Sequence, residues 1–133
     1  MTGYLLDTNI LSDLIDNPLG VTQKRLDRLS DVWVCTSIIS AAELRYGAVR
    51  RQSARLSHEV DEVLSRIEVV VLSPDADHHY AYLRYQLESR GTPIGNNDML
   101  IAAHALALDA TLVSANTREF ARIEGLKLEN WLD

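Results

Sequence analysis

The sequence predicts an α/β fold built around a mostly parallel sheet. Three observations carry that expectation. Short runs rich in Val, Ile and Leu recur at Gly3–Leu6, Val32–Thr36, Glu68–Leu72 and Thr111–Ser114, with a brief one at Lys127–Leu128; strands buried on both faces read this way. Longer stretches with apolar residues at helical spacing lie between them. Pro18, Pro74 and Pro93 all fall between these segments, where a missing N–H does no harm.

The helical stretches follow in order. Asn9–Asp16 comes after Asp7 and Thr8, both residue types that cap helices well. Val21–Leu29 is shorter and more charged, and Ser37–Arg50 with Ala54–Arg66 reads as a helical pair. Asp75–Arg90 carries Ala76, Tyr80, Leu83 and Leu87 at spacings that make one apolar face. Asp98–Leu108 is apolar almost all round and should be the most buried helix. A short segment, Asn116–Ala121, closes the series. With no repeat, low-complexity tract or linker, the 133 residues are expected to form a single domain spanning 1–133.

Composition narrows the function classes. A hydrophobic fraction of 47% and a charged fraction of 24% are ordinary for a soluble globular chain. No window approaches the roughly 20 apolar residues needed to span a bilayer, and no basic segment followed by an apolar stretch opens the chain. The single cysteine, Cys35, excludes an internal disulfide and reads as a buried small apolar residue. A cytoplasmic protein without a membrane partner is expected. The net charge of −6 argues against a non-specific nucleic-acid coat protein, but acids clustered at one site would count toward that total.

Three acids stand in awkward settings. Asp7 ends the first strand, either as a helix cap or as a ligand beyond a strand end, where open parallel sheets place their sites. Glu43 shares a helical face with Ile39 and Tyr46, and a charge on an apolar stripe needs a partner, either an arginine or a cation. Asp98 lies in the first turn of the most hydrophobic helix, favourable for the helix dipole or available for ligation. Asn116 is a further cap or neutral oxygen donor, and Glu119 is an alternative carboxylate one turn on. If these side chains converge, two carboxylates 4 Å apart repel by roughly 4 kcal/mol at an effective dielectric of 20. A hard cation such as Mg²⁺ turns that repulsion into binding.

Other chemistries find less support. His78 and His79 are adjacent and diverge on a helix, His58 and His104 are isolated, and none forms a zinc pattern with Cys35. No Ser-His-Asp order, P-loop or dinucleotide fingerprint is present. Arg50, Arg51 and Arg55 form one dense basic cluster, either a solvated helix end or a phosphate-contact patch.

Four blocks together make a more specific pattern: Leu6-Asp7-Thr8-Asn9, Ala41-Ala42-Glu43-Leu44-Arg45-Tyr46-Gly47, Ile94-Gly95-Asn96-Asn97-Asp98 with Ile101-Ala102-Ala103-His104-Ala105, and Ser114-Ala115-Asn116-Thr117-Arg118-Glu119-Phe120. In order and spacing they resemble the PIN-domain family, and more narrowly the VapC-type ribonuclease toxins of bacterial toxin–antitoxin pairs. The resemblance implies a Rossmann-like α/β/α sandwich and Mg²⁺- or Mn²⁺-dependent endoribonuclease activity. Asp7, Glu43 and Asp98 fall on the family's three acidic metal positions, and Asn116 on a fourth, variable one. Asp7 and Asp98 would hold the ion directly, with Glu43 as a further ligand or through water, while Thr8, Asn9 and Ser114 would orient the carboxylates. The same resemblance implies a homodimer neutralised by a VapB-type antitoxin in a heterotetramer or larger assembly. Two rivals remain at this stage: an aspartate-based phosphatase, which would want an acid where the chain has Asn9, and a PIN-fold binding module without catalysis.

Overall fold

A computed structural model describes residues 3–133. Its centre is a five-stranded, all-parallel sheet in the order β3-β2-β1-β4-β5. The strands are β1 (Gly3–Leu6), β2 (Trp33–Ser37), β3 (Glu68–Val70), β4 (Thr111–Val113) and β5 (Leu128–Glu129). β1 therefore lies in the middle, with Leu5 opposite Cys35 on one side and Leu112 on the other. The chain first winds from β1 to β2 and β3, then crosses back to β4 beyond β1. That reversal opens a crevice at the carboxyl end of β1, where such sheets bind ligands.

Pleating sends successive residues to opposite faces, and both faces are covered. Leu5, Cys35 and Leu112 pack in one core with Leu83 and Leu87 of α5 (Ala76–Ser89) and Ile101 and Ala102 of α6 (Asn96–Leu108). Leu6 and Val113 pack in the other, against Ile10 and Leu14 of α1 (Thr8–Asp16), Leu44 of α3 (Ile38–Arg50) and Val60 and Leu64 of α4 (Ala54–Arg66). The result is the expected three-layer α/β/α arrangement. Burying a leucine such as Leu5 or Leu6 fully is worth about 2–3 kcal/mol. The remaining helices, α2 (Val21–Arg28) and α7 (Thr117–Phe120), are short.

Most element boundaries shift by a residue or two from those the sequence predicts. β3 ends at Val70 rather than Leu72, because Val71 lies 72% exposed and leaves the sheet. β5 falls one residue later than predicted, at Leu128–Glu129. α6 starts at Asn96 instead of Asp98: Gly95 is extended and its carbonyl accepts from Met99 N at 3.0 Å, which begins the helical ladder. The expectation that α6 is the most buried helix holds, with Met99 and the run Ile101–Ala105 all buried. The α5–α6 turn depends on Gly91 at φ +69°, a left-handed conformation that residues with a Cβ rarely adopt. Thr92 N then bonds back to Leu87 O at 2.9 Å, and Pro93 prevents further helix.

Candidate functional site

Asp7 is the first residue beyond β1, and it is 4% exposed. Its N–H continues the ladder by donating to Val113 O at 2.9 Å. Its extended backbone then caps α1, with Oδ1 accepting from Thr8 N at 2.8 Å. The cap uses only one carboxylate oxygen. Oδ2 accepts from Ser114 Oγ at 2.7 Å and from Asn9 Nδ2 at 3.4 Å. Cap and site residue are thus compatible roles for Asp7. Burial raises its pKa, the Ser114 and Thr8 bonds oppose that rise, and the charge on Glu43 adds to it.

Ser114 follows β4 and is fully buried. Its oxygen also accepts from Asn116 N at 3.0 Å and from Asn9 Nδ2 at 3.3 Å. Asn9 Oδ1 in turn accepts from Ala115 N at 3.0 Å. Asn9 therefore ties the start of α1 to the segment after β4 with both ends of its amide. An acid at that position, as the phosphatase rival would want, could not donate to Ser114.

Glu43 comes from α3, half-buried, and meets the same corner: Oε1 accepts from Thr8 Oγ1 at 2.8 Å and Oε2 from Asn97 Nδ2 at 3.4 Å. The apolar stripe expected around it is only half there, since Ile39 packs partly buried against the core while the rest faces solvent. Tyr46 is 65% exposed and Ala42 is exposed, while the core face of α3 is Ala41, Leu44 and Ala48. Glu43 projects toward the strand ends because it flanks the core face rather than belonging to it.

Asp98 reaches the site from the first turn of α6. Its pKa is pushed up to about 6, first by burial and then by the charges of Asp7, Glu43 and Glu119. Four carboxylates therefore share one electrostatic field. Asn116, at the start of α7, turns Glu119 with a bond from Nδ2 to Oε2 at 3.0 Å. The sequence treats Asn116 and Glu119 as alternatives; the structure joins them. The signal was their three-residue spacing on a short helix, which puts the two side chains on the same side.

None of the ion pairs among the described residues involves Asp7, Glu43, Asp98 or Glu119. An arginine partner for Glu43 is thereby excluded within the described chain. Nor do any three His, Cys, Asp or Glu side chains among the described residues stand as a ready-made ion cage. The donor set nonetheless suits a hard divalent cation: carboxylate and amide oxygens, without thiolate or imidazole. Burial, and after it the neighbouring acids, raise the pKa of Asp98, and no ion pair among the described residues reaches it.

A groove of about 300 Å³ leads away from this corner. It begins at Thr8 and Glu43, follows α3 past Gly47, and reaches Arg50 and Arg51. Arg55 does not line it and instead pairs with Glu59 at 3.5 Å, with its side chain 89% exposed. Two of the three clustered arginines thus face the groove. Cys35 is fully buried with its thiol pushed up to about 12, as a core residue would be.

Residues 4–126 match the PIN domain family. The ribonuclease VapC2 of Rickettsia felis is 41% identical over 130 residues, spanning 96% of this chain and 97% of that protein. The chain is a PIN-domain protein of the VapC ribonuclease family. A second VapC relative, the tRNA(fMet)-specific endonuclease VapC of Shigella flexneri, is 36% identical over 98% of this chain and 99% of its own. Among solved structures, VapBC2 from Rickettsia felis bound to a DNA fragment from its promoter superposes with a TM-score of 0.92 at 40% identity, covering 97% of this chain and 98% of that one. The Rossmann-like PIN-domain fold expected from the four sequence blocks is therefore borne out. In this VapC family member, no helix of the described residues is long and apolar enough to cross a membrane.

Proposed function

We propose that this chain is a Mg²⁺-dependent endoribonuclease, with Mn²⁺ as the alternative ion, and the toxin of a VapBC-type pair. One observation carries the reading: four carboxylates from four separate segments share a field, and no cationic side chain of the described residues pairs with any of them. Asp7 and Asp98 hold the ion, with Glu43 beside them. When bound, a divalent cation there polarises a phosphodiester oxygen and lowers the pKa of an attacking water.

The chain's own residues do the rest. Ser114, Asn9 and the Thr8 N–H fix both oxygens of Asp7. Thr8 and Asn97 hold the two oxygens of Glu43. Asn116 acts through Glu119, whose orientation it sets, and Glu119 adds the fourth charge. Arg50 and Arg51 meet RNA phosphates along the groove. Arg55, turned to Glu59, contributes little.

A VapB-type antitoxin, a homodimer in a heterotetramer or larger complex, and a cytoplasmic location complete the proposal. The VapC names of the relatives and the solved VapBC complex support the antitoxin partner. A tRNA is the first substrate to try, since the Shigella flexneri relative is named for one.

Mapping the cut ends tests the chemistry. Attack by water should leave a 5′-phosphate and a 3′-hydroxyl; a 2′,3′-cyclic phosphate would reject the mechanism. Purified Asp98→Asn should lose Mg²⁺-dependent cleavage while its circular dichroism spectrum stays that of the parent, and cleavage at the parent rate would refute the site.

A further inference from the structure

α6 contains a residue that its packing does not explain. Its buried positions are otherwise apolar, namely Met99, Ile101, Ala102, Ala103 and Ala105, yet His104 is fully buried among them. Nδ1 lies 2.9 Å from Ser37 Oγ. The Ser37 oxygen already accepts from Ile39 N at 3.2 Å, so its proton is free for the ring nitrogen. Among the described residues no group meets strict hydrogen-bonding geometry at Nε2, but the Val71 backbone acts on the ring as a hydrogen-bonding neighbour. Burial lowers the imidazole pKa, and the Val71 backbone contact opposes that fall.

Its bond links two elements that carry the acids. Ser37 caps the N-terminus of α3, and Glu43 lies six residues further along that helix. His104 lies on α6, six residues beyond Asp98. Six helical residues are about 9 Å of axis. The pair joins the two helices below the site, while Asn97 to Glu43 joins them weakly at its rim, at 3.4 Å.

We infer that His104 is a positioning residue whose buried bond to Ser37 sets the separation of Glu43 and Asp98, and with it the affinity of the site for a divalent cation. This rests on the proposal that those acids hold one ion. Helix packing alone tolerates small axial slips, whereas a 2.9 Å bond between buried groups does not.

The test measures Mn²⁺ binding to the full chain without RNA, by calorimetry or by paramagnetic resonance, beside the melting temperature. His104→Leu should stay folded and melt cooperatively, at a temperature lowered by the buried Ser37 hydroxyl that it leaves without an acceptor. It should nevertheless bind Mn²⁺ about tenfold more weakly, the low end of the loss seen when groups that orient ligands are removed. His104→Asn, which keeps a polar atom near the Nδ1 position, should restore most of the affinity. Should His104→Leu fail to fold, Ser37→Ala removes the other half of the bond and should show the same weakening. Parent-like Mn²⁺ affinity in His104→Leu or Ser37→Ala overturns the inference, as does an affinity loss that His104→Asn does not relieve. The underlying site fails separately: the parent chain would then bind no Mn²⁺, or Asp98→Asn would bind it unchanged.

Discussion

Thr8 Oγ1 donates to Glu43 Oε1 at 2.8 Å, so the first turn of α1 holds a carboxylate thirty-five residues further along the chain. The same residue's N–H holds Asp7. Thr8 thus fixes two acids at once, one through its backbone and one through its hydroxyl. Thr8→Val keeps the shape and the backbone bond but removes the hydroxyl donor. The loss to stability should be about 1 kcal/mol, while kcat/KM for RNA cleavage should fall about tenfold. A variant as active as the parent would mean that Glu43 needs no such anchor.

Asp98 makes stability depend on pH in an unusual direction. Its folded pKa is about 6 and its unfolded reference is 3.8. Below about pH 4 it is protonated in both states and has no effect. Between about 4 and 6 the unfolded chain releases the proton first, so this residue's contribution to stability falls as pH rises, and the penalty is complete above about 6. Two pKa units would amount to about 3 kcal/mol, but Asp98 is only half-buried, and screening reduces the effect to about 1 kcal/mol. In chelator, Asp98→Asn should therefore melt higher than the parent at pH 7.5 and lose that advantage near pH 4. Added Mg²⁺ should raise the melting temperature of the parent and not of the variant.

Gly47 lies inside the last turn of α3, where nothing lies within 4 Å of an added Cβ. Glycine costs a helix interior about 0.5–1 kcal/mol relative to alanine. Gly47→Ala should accordingly stabilise the chain, raising the melting temperature by about 3 °C. Because Gly47 lines the groove, the same change should raise KM for RNA several-fold with little change in kcat. An unchanged KM would put the RNA strand elsewhere.

The arginines separate by position. Arg50→Ala and Arg51→Ala should each weaken RNA binding across sequences and reduce its salt dependence by about 0.7 in log–log slope, as expected for one lost phosphate contact to a single strand. Arg55→Ala should do neither, because Arg55 already pairs with Glu59 outside the groove. Binding titrations at three salt concentrations suffice to compare the three.

Much of this was legible from residues alone, for identifiable reasons. Asp7 and Asp98 sit at a strand end and a helix start, positions that patterning locates well. Glu43 was found by an argument about an apolar stripe that the structure supports only at Ile39, since Tyr46 and Ala42 face solvent. Its helix presents Glu43 to the crevice, beside Thr8 and Asn97, a placement that periodicity cannot reveal. The bond of Asn116 to Glu119 depends on side-chain rotamers. The role of His104 depends on the approach of α6 to Ser37 across 67 residues, a distance over which local spacing carries no information.

The anchoring of Asp7 has a consequence for synthesis. Its hydroxyl donor, Ser114, lies 107 residues downstream, and Val113, which receives its N–H, is the residue before. A nascent chain stopped anywhere before β4 displays the first acid without the scaffold that orders it. An ordered Asp7 therefore requires the chain to have been made through β4 and Ser114.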